Sequence, residues 1–318
     1  MKNDIKILLS IAECDKSFEK MIETLSQYAT VDVADLSNYS LAGYDIFIGK
    51  KLAKSKLVEA DKLKYVFAYK TGVDNFPLPE LEEKGIILVN SHADSRIIAE
   101  YAFGLTVSLV NRINEFDLNL RQGIWYDIDN MYWRSIFGMK VGLFGYGHIG
   151  KDIHKILIQN NIETATIDRG HKYENIHLVN SLEELVDYCD IIICSVPKTP
   201  QTDNLFNEAI FSNMKGKFII NVGRSNVIDQ QALYNALKNK SIGGAAIDTW
   251  EEKPKNKRTK LMPSSYSFHD LNNIILSPHA AMRVENGHAR YVVDVTENVI
   301  GLITKGEVRN IISYKKGY

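Results

Sequence analysis

A chain of 318 residues is long enough for two domains, each burying its own core. Charged residues make up 24% and the formal net charge is −1, so there is no basic excess to neutralise nucleic-acid phosphates. The three cysteines, Cys14, Cys189 and Cys194, lack metal-ligand spacing, which fits a reduced, cytoplasmic setting without a bound metal. The first apolar run, residues 5–9, is shorter than a signal peptide requires and reads as a strand. No stretch approaches the roughly 18 apolar residues of a membrane span, so a soluble chain is expected.

In chain order, residues 5–11, 44–48, 65–68 and 86–89 read as strands, with helices at 18–28 and 78–84 between them. That alternation predicts parallel βαβ units. A long helical pattern follows over 96–116. Residues 118–138 are irregular and aromatic-rich, with Trp125, Tyr126, Tyr132, Trp133 and Phe137. The βαβ rhythm then restarts, with strands at 140–144, 164–168, 191–196, 218–222, 245–248 and 274–276, marking a second α/β domain. A last helix over 284–305 precedes a short tail. The basic run 253–260 lies between two strands without interleaved aromatics and reads as a solvated loop.

One motif carries chemistry on its own terms. Gly145-Tyr146-Gly147-His148-Ile149-Gly150 follows an apolar strand and opens a helix. Gly145 permits a tight turn, Gly147 lets the backbone approach a pyrophosphate, and Gly150 allows close packing of helix on strand. Phosphates would rest on N–H groups at the helix N-terminus. The next strand ends in Asp168, about 20 residues on, where a carboxylate accepts the ribose hydroxyls and repels a 2′-phosphate. The cofactor expected is therefore NAD, although Arg169 stands beside that aspartate.

Beyond the glycine motif, several segments occur in order: 194–202 (Cys-Ser-Val-Pro-Lys-Thr-Pro-Gln-Thr), Asn221-Val222-Gly223-Arg224, 243–248 ending in Asp248, and Ser277-Pro278-His279. With Thr71-Gly72-Val73-Asp74, Asn90 and Ala99-Glu100 in the first domain, the chain resembles the D-isomer-specific 2-hydroxyacid dehydrogenase family along nearly its whole length. The resemblance implies two doubly wound parallel-sheet domains, a Rossmann coenzyme domain (99–284) inserted into a flavodoxin-like substrate domain (1–98 and 285–318). It assigns cofactor contacts to His148, Ile149, Val196, Pro197, Thr202, Val222, Gly223 and Asp248 beside the three glycines and Asp168. It also makes 118–138 the arm of a homodimer.

The chemistry it implies is hydride transfer between NAD(H) and a 2-hydroxy acid/2-keto acid pair. A guanidinium at Arg224 can hold the substrate carboxylate and polarise the carbonyl. Backbone N–H groups at Thr71 and Gly72 would take the carboxylate's other side. His279 can donate or accept the proton of the transferred hydroxyl. One position departs from the family: the glutamate expected to pair with the histidine, just before Pro254, is Lys253. Either Glu251 or Glu252 replaces it or His279 works without a carboxylate. An NAD-responsive, corepressor-like binding protein and a dehydrogenase of another small anion, such as formate or phosphite, stay open as alternatives.

Overall fold

The computed structural model describes residues 4–35, 38–125, 132–170, 173–252, 254 and 259–317. The chain divides into two compact units, one of Met1–Asp94 with Val284–Tyr318 and one of Ser95–Arg283. It leaves the first unit, builds the second, and returns.

The first unit begins with strands β1 (Lys6–Ser10), β2 (Thr30–Ala34), β3 (Ile46–Gly49), β4 (Tyr65–Ala68) and β5 (Ile87–Val89), and helices α1 (Lys16–Leu25) and α2 (Leu78–Glu83). All five strands are parallel in the order β2-β1-β3-β4-β5, which is the flavodoxin-like arrangement. Its central strands are apolar on both faces because helices cover both. Helix α1 starts where Asp15 accepts the N–H groups of Ser17 and Phe18, and it buries Phe18, Met21 and Leu25 on one stripe. Strand β2 has no apolar run to announce it. It is a mostly exposed edge strand, set by its register with β1, where Ile7 pairs with Val31 and Leu9 with Val33.

The second unit contains α3 (Ser95–Val110), α4 (Ile113–Leu120), β6 (Val141–Phe144), α5 (His148–Gln159), β7 (Thr164–Ile167), β8 (His177–Val179), α6 (Leu182–Tyr188), β9 (Ile191–Cys194), α7 (Glu208–Ser212), β10 (Phe218–Asn221), α8 (Gln230–Lys238), β11 (Gly244–Ile247) and β12 (Ile274–Leu276). Its seven parallel strands run β12-β11-β10-β9-β6-β7-β8, the Rossmann order extended by one strand. Alternate residues feed two cores. Val141, Leu143, Ile191, Ile193, Phe218 and Ile220 enter one, and Phe144, Ala165, Ile192, Cys194, Ile219 and Ala245 the other. The helical pattern expected over 96–116 is two helices. Arg112 adopts φ 55° between them and clamps Glu115 through two hydrogen bonds of 2.7 Å.

The chain returns through α9 (Gly287–Lys305), which packs beside α1 and buries Tyr291, Val292, Val295 and Val299. The tail after it bonds to β5, with Ile312 N–H donating to the Leu88 carbonyl at 2.9 Å. Among the described residues no helix is long and apolar enough to cross a membrane.

Candidate active site

The sheet of the second unit reverses its winding between β6 and β9, the position where doubly wound sheets open a crevice at their carboxyl ends. The glycine motif follows β6. Gly145 has φ 109°, and a Cβ there would meet Ser195 Oγ and Val196 Cγ1 at 3.0 Å. A Cβ on Gly150 would stand 2.0 Å from the Gly145 carbonyl oxygen, so only glycine lets α5 start this close to the strand end. A Cβ on Gly147 would meet nothing within 4 Å, which leaves open space over the loop. Gly147 is also the residue preceding α5, and no side chain caps that helix. An uncapped helix N-terminus beside a bare loop is a ready cradle for a pyrophosphate. His148 is exposed and Ile149 half-buried in the first turn.

Asp168 stands exposed just after β7. One of its oxygens accepts the Gly170 N–H at 2.8 Å, which turns the chain sharply. The Arg169 N–H donates to the Tyr173 hydroxyl at 2.9 Å, and the Tyr173 ring lies 5.3 Å from that of Tyr146. The residue between the first two glycines is thus joined to the acidic corner.

After β9, the Thr202 hydroxyl donates to the Pro197 carbonyl at 2.8 Å and accepts the Thr199 N–H at 2.8 Å, lacing the 197–202 loop. Gly223 lies against the same segment, since a Cβ on it would stand 2.7 Å from the Val196 carbonyl oxygen. Val222 is buried beneath. The buried amide of Asn221 shapes the turn to Arg224, accepting the Gly223 N–H at 2.9 Å and donating to the Arg224 carbonyl at 3.0 Å. The half-buried Arg224 side chain turns back so that Nη1 donates to the Gly223 carbonyl at 3.1 Å.

His279 sits in the left-handed region at φ 56°, where a non-glycine residue must be held. The holder is Asp248, at the end of β11. Its buried carboxylate accepts the Ser277 hydroxyl, the Ala280 N–H at 2.7 Å and the Ala281 N–H at 3.3 Å, and its carbonyl accepts the His279 N–H at 2.9 Å. Trp250 Nε1 donates to the Ser277 carbonyl at 3.0 Å, and the Tyr101 hydroxyl lies 2.9 Å from Ser277 Oγ. Six hydrogen bonds therefore fix the turn that carries His279. Reading the sequence did not single out Ser277, Trp250 or Tyr101 for this work, because they lie 27 and 176 residues from their partners. Glu251 and Glu252 are exposed, and Lys253 lies outside the described residues.

In the first unit, Thr71 and Gly72 follow β4 and are half-buried. Thr71 Oγ1 donates to the Ser91 carbonyl at 2.9 Å, and its own carbonyl accepts Asn90 Nδ2 at 2.7 Å. Among the described residues, neither the Thr71 nor the Gly72 N–H donates a hydrogen bond. Two unspent donors side by side at the carboxyl end of a parallel sheet suit an anion.

A glycine cradle at the reversal point of a Rossmann sheet, in a chain with a second α/β unit, defines the class of two-domain dinucleotide-binding folds. The chain belongs to the D-isomer-specific 2-hydroxyacid dehydrogenase family, whose NAD-binding-domain sequence model matches residues 103–281, more than half of the chain. It carries that family's NAD-binding domain. It is 29% identical over 273 residues to a putative D-3-phosphoglycerate dehydrogenase of Schizosaccharomyces pombe, covering 83% of this chain and 58% of the relative. It is 28% identical over 324 residues to the D-3-phosphoglycerate dehydrogenase of Methanocaldococcus jannaschii, covering 97% and 59%. The chain thus spans about six-tenths of the length of these curated relatives. The solved NADPH-dependent glyoxylate/hydroxypyruvate reductase of Sinorhizobium meliloti, in complex with NADP and malonate, shares the fold with TM-score 0.78 and 22% identity, over 99% of this chain and 98% of that one.

Proposed function

We propose that the chain is an NAD-dependent 2-hydroxyacid dehydrogenase of the cytoplasm, interconverting a 2-hydroxy acid and its 2-keto acid. Ser95–Arg283 is the coenzyme unit, and Met1–Asp94 with Val284–Tyr318 the substrate unit. The observation that carries the reading is the clamped turn at His279. Six hydrogen bonds hold the turn that keeps His279 in a strained backbone conformation, more than a merely structural histidine calls for.

The residues present fit the dinucleotide. Gly145, Gly147, His148, Ile149 and Gly150 would hold the pyrophosphate, Asp168 the adenine ribose, and Val196, Pro197, Thr202, Val222, Gly223 and Asp248 the nicotinamide side. When bound, the nicotinamide ring supplies or accepts the hydride. Arg224 would hold the substrate carboxylate and draw electron density from the carbonyl, assisted by the Thr71 and Gly72 N–H groups. His279 would give its proton to the keto oxygen during reduction and take it back during oxidation. The preference for NAD over NADP rests on the Asp168 carboxylate. The second copy of a homodimer would seat on the aromatic segment 118–138.

The test is NADH oxidation against a panel of 2-keto acids, with His279→Ala as control. Turnover of at least one keto acid that falls by orders of magnitude in the variant is expected. Tight NADH binding without turnover of any member would favour the NAD-responsive binding protein instead.

A further inference from the structure

Behind the Thr71 loop, Tyr291 of α9 is 4% exposed and its hydroxyl lies 3.2 Å from Thr71 Oγ1. The Thr71 proton is committed to the Ser91 carbonyl at 2.9 Å. With that proton spent, the Thr71 hydroxyl is an acceptor for Tyr291. Beyond it stands Asp94, 1% exposed, whose carboxyl also faces the Tyr291 hydroxyl. A charged Asp94 would compete for the single Tyr291 proton. Burial pushes the Asp94 carboxyl above its ordinary range, against the opposing pull of Tyr291 and Arg290, and so weakens that competition. From below, Ser91 Oγ donates to Asp294 Oδ2 at 2.5 Å, and Asp294 Oδ1 accepts from Arg309 at 3.2 Å. Tyr291 and Asp294, one helical turn apart on α9, thus grip the two residues that frame the loop.

We propose that Tyr291 is a positioning residue: its hydroxyl fixes Thr71 so that the unspent Thr71 and Gly72 N–H groups stay aimed outward for an anionic ligand. As a statement about the substrate carboxylate, this rests on the functional reading above. As a statement about the loop, it does not. Thr71 is held through its hydroxyl and its carbonyl, which keeps its N–H and that of Gly72 for the ligand.

Tyr291→Phe keeps the ring and removes the hydroxyl. Losing one neutral hydrogen bond of this kind should raise KM for the keto acid, and the inhibition constant of oxamate, by about fivefold. It should leave kcat and NADH affinity unchanged. Amide hydrogen exchange at Ser91, whose N–H donates to the Lys70 carbonyl just before the loop, should accelerate by a similar factor in the enzyme without substrate. Unchanged exchange at this amide overturns the proposal, and so does a fall in kcat with KM unmoved. If the wild-type protein reduces no keto acid, the functional reading fails, yet the exchange measurement still decides whether Tyr291 holds the loop. Thr71→Val removes the same contact from the other side. If Tyr291→Phe folds poorly, the exchange rate at Ser91 in Thr71→Val carries the decision.

Discussion

Asp168 and Arg224 show how much a single charged residue can decide. The Asp168 carboxylate is exposed after β7, with one oxygen bonded to the Gly170 N–H. An adenosine 2′-phosphate placed there would face a like charge at short range. NADH should therefore bind more tightly than NADPH in calorimetric titration, and Asp168→Ser should narrow the gap. Tighter binding of NADPH by the wild-type protein would remove the assignment. Arg224 is oriented by its own chain, through Asn221 on the backbone and Gly223 on the guanidinium. Truncating a partly desolvated charge that grips a carboxylate costs on the order of 3–5 kcal/mol. Arg224→Ala should accordingly lower kcat/KM by roughly two to four orders of magnitude, which is what that energy amounts to, with NADH affinity preserved. Near-normal activity would mean that the anion is held elsewhere. Gly145, Gly150 and Gly223 were legible as glycines with a purpose, and each is packed where a Cβ would collide. The bonding of the Asp248 carboxylate to the Ser277–Ala281 turn, by contrast, could not be read from positions 29 to 33 residues apart.

At the level of elements, legibility followed the apolar runs. Strands β4 and β12 stand where their short apolar runs placed them, at Tyr65–Ala68 and Ile274–Leu276, although β12 is a partly exposed edge. Strands β2 and β8 escaped notice because both are mostly exposed edges without such a run: β2 interrupts its two valines with Asp32, and β8 is three residues long with only Val179 buried. The break between α3 and α4 was also hidden, since neither Asn111 nor Arg112 is a glycine or proline. Helix α5 offers a test of its own. His154 on its buried face has Nε2 at 3.0 Å from the Glu174 carbonyl, so that nitrogen carries the proton, and Nδ1 accepts from Thr164 Oγ1 at 2.9 Å. Burial lowers its pKa below the ordinary 6.5, although the bond to Glu174 opposes this. The folded state thus binds the proton less readily than the unfolded chain. The stability this group contributes is complete above pH 6.5 and is lost as pH falls towards its folded value. Chemical denaturation of wild type and His154→Gln should diverge in slope on the acid side of that pH, by up to about 1.4 kcal/mol per pH unit. Parallel curves would show that His154 titrates alike in both states.

For the whole molecule, the distribution of exposed apolar surface is uneven. Nine of the eighteen large apolar side chains recorded as exposed among the described residues fall between Ile113 and Phe137, including Trp125, Tyr132, Trp133 and Phe137. Scattered exposed leucines need no explanation, but a sequence-local aromatic concentration of this density is the surface that the proposed homodimer would cover. The segment is not loosely attached at its return. Arg134 N–H donates to the Val110 carbonyl, Arg134 Nη1 donates to the Gly216 carbonyl at 2.8 Å, and its guanidinium lies over the Phe218 ring. A surface held firmly and left apolar can dock without a large ordering cost. Its apolar and aromatic side chains suit an identical patch in a two-fold arrangement, since an isologous contact meets its own composition. Sedimentation velocity should show a dimer for the wild-type chain. Trp133→Glu with Phe137→Glu should shift it to monomer, because two carboxylates per copy would be desolvated at the seam. Neither side chain takes part in the contacts that anchor Arg134, so the variant should keep its circular dichroism spectrum and bind NADH. A wild-type monomer at micromolar concentration would refute the homodimer. A variant dimer that persists would place the contact on another face.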